Sequence, residues 1–190
     1  MTKIIFFGPP GAGKGTQAKI ISNYLELPHL STGDILRSKI KKNDSLAIQV
    51  KEIIASGKLV SDDILNSIVS DKLQNDCKEG YILDGYPRTL EQADFLNSYI
   101  EKTSSKLDFI FNVEINFEIL KQRIIKRSLE EGREDDKISV IETRYNEYTE
   151  TTKKVSEYYR ENNPEIFYDL EGNDQIEKIT NKITKILQNR

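Results

Sequence analysis

The sequence predicts an α/β protein, a five-stranded parallel sheet with helices on both faces. Three observations lead there. Short apolar runs alternate along the chain with longer stretches of helical spacing. The first apolar run ends in a glycine-rich loop that leads directly into a helix. With 190 residues, 37% hydrophobic and 31% charged, the chain is long enough to bury one core.

Lys3–Phe7 (KIIFF) reads as a strand buried on both faces, because no polar residue interrupts it after Lys3. From Gly15 onward, TQAKIISNYLEL places Ala18, Ile21 and Leu25 on one side of a helix. Pro28–Leu30 is a brief second strand. Helices follow over Gly33–Lys41 and Leu46–Ser56, with Gly57 as a stop, and then over Asp62–Asn75. Tyr81–Asp84 (YILD) is the third strand and Leu90–Lys102 the next helix. Asp108–Ile115 (DFIFNVEI) is the fourth strand, followed by helices over Phe117–Leu129 and Ile138–Arg160. Ile166–Leu170 (IFYDL) is the fifth strand and Asp174–Gln188 the closing helix. Such alternation implies right-handed crossovers. Ser31–Val60 and the charged Ser128–Asp136 (SLEEGREDD) depart from it and are candidate mobile flaps. The chain shows no internal repeat, low-complexity tract or flexible linker.

Composition narrows the function. A net charge of -3 argues against nucleic acid as the main partner. The lone Cys77 allows neither an internal disulfide nor a zinc cluster, so no structural zinc is expected. No apolar stretch nears the ~20 residues that span a bilayer, and no secretory leader opens the chain. The expectation is a soluble protein of a reducing, cytoplasmic compartment, without a membrane partner.

Gly8–Thr16 reads GPPGAGKGT. Gly8, Gly13 and Lys14 satisfy the start of G-x-x-x-x-G-K-[ST], but Gly15 takes the Ser/Thr place and Thr16 follows one residue later. The physics survives the shift. Glycines let successive backbone N–H groups point inward, the helix N-terminus adds partial positive charge, and Lys14 supplies a point charge. The loop is a phosphate cradle.

Arginine is scarce beside lysine and occurs at Arg37, Arg88, Arg123, Arg127, Arg133, Arg144, Arg160 and Arg190. Guanidinium differs from ammonium in its planar, bidentate grip on phosphate or carboxylate, so these positions are candidates for a site. Arg88 follows Asp84 by four residues at the carboxyl edge of the third strand, where open α/β sheets bind ligands. Asp84 suits a magnesium ion held through water, a reading that its position beside the phosphate loop favours over a turn or helix cap. Arg123 and Arg127 share one helix face. With Arg133 and Arg144 they form either a phosphate-binding set or a solvated salt-bridge face with Glu130, Glu131, Glu134, Asp135 and Asp136.

GPPGAGKGTQA, LSTGDILR, GKLV, LDGYPRT followed by Gln92, and the arginines through GREDD together resemble the adenylate kinases over essentially the whole chain. The resemblance implies a single P-loop NTPase-type kinase domain. Its core would comprise residues 1–30, 61–126 and 137–190, with an NMP-binding helical flap at 31–60 and a short lid at 127–136. It implies reversible transfer from ATP to AMP giving two ADP, with Mg2+ and by a monomer. The ATP side would be Gly11, Ala12, Gly13, Lys14, Gly15 and Thr16, with Arg123 and Arg127 on the phosphates and Gly172 near the adenine. The AMP side would be Thr32, Arg37, Lys58, Leu59, Val60, Gly85, Tyr86, Pro87, Arg88 and Gln92, with Arg133 and Arg144 closing on the phosphates. Lys14, Arg88, Arg123, Arg127, Arg133 and Arg144 would carry catalysis, and Asp84, with Thr16, the metal.

Several of these residues also have plainer roles. Thr89 and Gln92 form T-x-x-Q, a helix capping box. Thr32 is placed to cap the next helix, and Lys58–Val60 to serve as an ordinary loop. His29 reads as strand-end packing, and Tyr145, Tyr148, Tyr158 and Tyr159 as helix packing. The alternatives to an AMP kinase are a UMP or CMP kinase on the same fold and a nucleotide-binding switch without turnover. Thr32 and Gln92, implied against adenine, favour AMP. The lack of an evident N-K-x-D motif weakens the switch.

Overall fold

The computed structural model describes residues 1–40, 45–132 and 134–189. Arg133, assigned above to catalysis and AMP binding, and Arg190 lie outside the described residues.

The strands are β1 (Thr2–Phe7), β2 (His29–Ser31), β3 (Gly80–Asp84), β4 (Phe109–Glu114) and β5 (Phe167–Glu171). They form one parallel sheet in the order β2-β3-β1-β4-β5. The helices are α1 (Lys14–Leu25), α2 (Thr32–Ile40), α3 (Ser45–Ala55), α4 (Asp62–Asp76), α5 (Leu90–Lys102), α6 (Phe117–Glu131), α7 (Ile138–Glu147), α8 (Lys153–Asn162) and α9 (Ile176–Gln188). Among the described residues no helix is long and apolar enough to cross a membrane.

The uninterrupted apolarity of Ile4–Phe7 follows from β1 lying between β3 and β4. Ile4 and Phe6 point to one face, where they pack with Ala18 and Ile21 of α1 and Ile179 and Ile183 of α9. Ile5 and Phe7 point to the other, against Leu65 and Val69 of α4, Leu96 of α5 and Val155 and Tyr159 of α8. Ile4 and Ile5 have no exposed surface, and burial of this kind stabilises by roughly 1.5–3 kcal/mol per large aliphatic side chain. A smaller cluster of Leu120, Ile124 and Ile141 joins α6 to α7.

The long helix expected over Ile138–Arg160 is instead α7 and α8 joined by a π-helical turn at Tyr148–Thr152. Threonine causes the departure. Thr149 Oγ1 donates to the Tyr145 carbonyl and Thr151 Oγ1 to the Glu147 carbonyl, a back-bonding that competes with the regular ladder. Helix α6 continues past the expected Leu129 to Glu131, where Gly132 ends it at φ 61°. The stretch 127–136 is therefore partly helical, and Glu134–Asp136 is a 3-10 turn. That turn meets α3. A Cβ at Gly57 would come within 2.6 Å of Val140 Cγ1, so the 31–60 region packs closely on α7.

Candidate active site

The loop after β1 lies at the carboxyl edge of the central strand. Gly8 has φ 136°, and a Cβ there would come 2.5 Å from the Val113 carbonyl oxygen of β4. Gly11 has φ 84°, and a Cβ would come 2.7 Å from Ile124 Cγ1 of α6. No other residue type fits either place. Gly13 caps α1 in the left-handed region, and the helix has no acidic residue in its first turn. Its unpaired amides therefore present an uncompensated anion site. Lys14 Nζ donates to the Pro9 carbonyl at 3.0 Å, folding back over the loop. Burial pulls the Lys14 ammonium down to about 8, against the opposing pull of Asp84 and with the help of Arg88 and Arg144.

A Cβ at Gly15 would come 3.1 Å from Asp84 Oδ2. This explains glycine in the Ser/Thr place: the first turn of α1 is pressed against the β3 carboxylate. Asp84 pairs in register with Phe6 of β1 and Ser31 of β2. Burial alone would raise its pKa, but His29, Lys14 and Arg88 hold it below the usual carboxylate range. His29 does more than pack a strand end, since its Nε2 lies 3.5 Å from Asp84 Oδ2. Thr16 is exposed at the start of α1.

The arginines divide. Lys14 feels Arg88, Arg127 and Arg144 as electrostatic neighbours. Arg88 Nε donates to the Gly85 carbonyl at 2.7 Å. Arg127 grips both oxygens of Asp136 at 2.6 Å each. Arg144 Nη1 reaches Asp136 Oδ1 at 2.5 Å and Asp135 Oδ2 at 3.0 Å. Burial and the neighbouring Arg144 lower the Arg88 pKa; burial likewise lowers that of Arg144. Burial opposes the charge on Arg127 as well, but Asp136 outweighs it and raises the pKa. Of the carboxylates considered above, Asp135 and Asp136 pair with arginines, and on a buried rather than a solvated face: the Asp136 side chain is 0% exposed. Arg37 pairs with Asp34 at 2.6 Å and approaches Asp135 at 3.9 Å. Arg123 stands apart, its Nη1 3.5 Å from the Ala12 carbonyl on the flank of the loop.

At the end of β3, Thr32 donates through Oγ1 to the Gly85 carbonyl at 2.8 Å. It is not the helix cap; Ser31 Oγ accepts from the Asp34 amide. Half of the capping box of α5 is formed: Thr89 Oγ1 accepts from Gln92 N, while the Gln92 side chain reaches Arg88 N in place of Thr89 N. Gln92 is fully buried, and its amide is committed at both ends, accepting from Arg88 N at 2.8 Å and donating to Asp62 at 2.6 Å. Tyr86 is buried and donates to Asn66. Gly85, Pro87 and Leu59 line a small cavity of about 70 Å3 with Lys14, Arg88, Arg144 and Tyr148. Lys58 is exposed and Val60 buried. Tyr145 packs on Phe117 with the rings tilted by 60°, and Tyr158 and Tyr159 bond to Asn97, as helix packing requires.

A larger cleft of about 1050 Å3 runs along Gly11–Thr16 past Asp84, Arg37, Arg123, Arg127 and Arg144 to the 173–176 segment. Gly172 directly precedes that segment, its amide donating to the Glu114 carbonyl at 2.6 Å. Two contributions escaped the sequence reading. One is the His29–Asp84 pair, whose only signal is the parallel register of β2 on β3. The other is the tie between Gln17 of α1 and Ile176 and Thr180 of α9. The chemistry on offer is charge neutralisation and positioning around a polyanion.

Comparison with known proteins agrees with this geometry. The family model described as "Adenylate kinase" matches residues 6–164. The adenylate kinase of Leptospira biflexa serovar Patoc is 39% identical over 186 residues, covering 97% of this chain and 99% of the relative. That of Fervidobacterium nodosum is 39% identical over 212 residues, with 97% and 96% covered. That of Acholeplasma laidlawii is 37% identical over 217 residues, with 100% and 99% covered.

Proposed function

The chain belongs to the adenylate kinase family, and we propose from that premise how its own residues divide the work. Its activity is the reversible transfer of the γ-phosphoryl group of ATP to AMP, giving two ADP. The family acts on magnesium-bound ATP.

The donor phosphates rest on Gly11–Thr16, under the free amides of α1 and the Lys14 ammonium. The donor base lies toward Gly172, with Arg123 on the flank of the loop. The acceptor lies on the other side of Lys14, among Arg37, Arg88, Leu59 and Gly85. Thr32 and Gln92 shape this acceptor pocket through Gly85 and Arg88 rather than by free side-chain groups of their own. Arg88, Arg127 and Arg144, joined by Arg133, spread over the transferring charge. One observation carries the reading: Lys14, Arg88, Arg127 and Arg144, from four separate parts of the chain, line one cleft beside the phosphate loop.

Phosphoryl transfer through a loose transition state asks for positioning and charge stabilisation, not a covalent nucleophile. Asp135 and Asp136 orient Arg144 and Arg127 in advance, so little reorganisation is left for the transfer step. Asp84 is held ionised beside Lys14 and lines the same cleft as Thr16, an oxygen donor set that suits magnesium bound through water. The ion, when bound, neutralises phosphate charge at that edge.

Residues 31–60 and 127–136 close over the site and exclude water. The approach of Arg37 to Asp135 supports their meeting. The short lid is supported by the Leptospira alignment, in which 186 residues cover nearly the whole of both chains. We also place the protein in the cytoplasm as a monomer, which light scattering on the purified chain tests. The decisive assay for the acceptor supplies MgATP with AMP, UMP or CMP in turn and measures diphosphate. AMP alone is expected to react; product from UMP or CMP would overturn the acceptor assignment.

A further inference from the structure

Gln17 follows the phosphate loop directly and is only 2% exposed. Its carboxamide is oriented by its partners: Nε2 donates to the Ile176 carbonyl at 3.0 Å, and Oε1 accepts from Thr180 Oγ1 at 2.9 Å. Thr180 Oγ1 also lies 2.9 Å from the same Ile176 carbonyl, a second acceptor for its one hydrogen, and Gln17 links the two α9 residues. Ile176 is the first residue of α9 and ends the segment that closes the large cleft opposite the phosphate loop. The other end of that segment is equally fixed. Gly172 donates to Glu114, a Cβ there would come 2.6 Å from the Glu114 carbonyl oxygen, and Asn173 Oδ1 accepts from Asn116 N at 3.1 Å.

The segment is therefore pinned to β4 at one end and, through Gln17, to the helix that carries Lys14 and Thr16 at the other. We propose that Gln17, together with Thr180, is a positioning residue for the donor: it sets the span between the phosphate cradle and the wall against which the donor base lies. A buried amide that loses either partner leaves a polar atom unsatisfied, so the span is held by a tie that resists partial loosening. The tie acts on the base end of the donor only, because the cradle has its own supports in Gly8, Gly11 and Lys14. This inference rests on the donor assignment made above.

The test compares Gln17→Leu, Thr180→Val and Thr180→Ser with the parent in steady-state kinetics, with inorganic tripolyphosphate as an inhibitor that offers the phosphates without the base. Gln17→Leu is expected to raise the KM for ATP about tenfold, ~1.4 kcal/mol, the scale of one or two net hydrogen bonds. The KM for AMP, kcat and inhibition by tripolyphosphate should stay within about twofold. Thr180→Val should raise the ATP KM about threefold, and Thr180→Ser, which keeps the hydroxyl, should behave as the parent. An unchanged ATP KM, or equal weakening of ATP and tripolyphosphate, would overturn the proposal. Should Gln17→Leu not fold, the Thr180 pair decides. Lys14→Met serves as the control: if it leaves tripolyphosphate binding intact, the donor assignment fails instead.

Discussion

Lys14→Met should cripple the enzyme and stabilise the fold. Burial pulls the Lys14 ammonium from the ordinary 10.5 to about 8, the carboxylate of Asp84 offsetting only part of that cost and Arg88 and Arg144 adding to it. At ~1.4 kcal/mol for each tenfold change in proton affinity, the unfavourable contribution at neutral pH is at most ~3 kcal/mol. With local relaxation and partial solvent access, about 1–2 kcal/mol is expected, or a rise in Tm of roughly 2–6 °C for a chain of this size. The sign reverses the usual carboxylate case. Between about pH 8 and 10.5 the unfolded chain holds a proton at Lys14 that the folded protein has released, so the parent gains stability relative to the variant as pH rises through that window. The gap is therefore full below pH 8 and closes by about 10.5. Thermal melts of the nucleotide-free proteins at stepped pH read this difference, while the coupled ADP assay reads turnover, expected at least ~100-fold lower. A variant less stable than the parent at pH 7, or a gap that does not change with pH, would refute the account of Lys14 as a strained, functionally retained cation.

Three further outcomes follow from the same geometry. Arg88→Ala should lower turnover by about a hundredfold or more, since one well-placed donor to developing charge contributes ~3 kcal/mol; near-normal turnover in the ADP assay would remove Arg88 from the site. Asp136→Asn leaves two half-buried guanidiniums without the buried anion they share, and breaking a buried pair costs about 3–5 kcal/mol; calorimetry should show Tm lower by on the order of 10 °C, and a shift below about 1 °C would contradict the buried clamp. Gly8→Ala forces a Cβ to 2.5 Å from the Val113 carbonyl oxygen at φ 136°, so the urea midpoint should drop by the equivalent of roughly 2 kcal/mol or more; an unchanged midpoint would show that the loop approaches β4 less closely.

Much of the fold was legible because its determinants are local. Ile4–Phe7 declares a two-face strand by having no polar residue to turn outward, and Gly8–Thr16 declares a phosphate cradle by its density of positions that tolerate left-handed backbone. The π-helical turn was hidden because helical periodicity survives across it, and only the threonine hydroxyls mark the place. For the arginines, spacing left phosphate binding and salt bridging both open. The structure shows that Arg127 and Arg144 are half-buried and share one fully buried carboxylate, Asp136, a combination that charge patterning cannot express.

By itself, then, the sequence determined the element types, the cradle and the set of cations available to it, since periodicity, φ requirements and side-chain chemistry are properties of consecutive residues. Only the tertiary structure decided which distant groups share a site. Gly15 is glycine because Asp84 lies 3.1 Å from where its Cβ would be, His29 meets Asp84 because β2 lies in register on β3, and Gln17 ties α1 to α9. Each depends on the strand order β2-β3-β1-β4-β5, in which the neighbours of β1 come from later in the chain. That order is chosen by packing over the whole sheet, so no single window of the chain contains it.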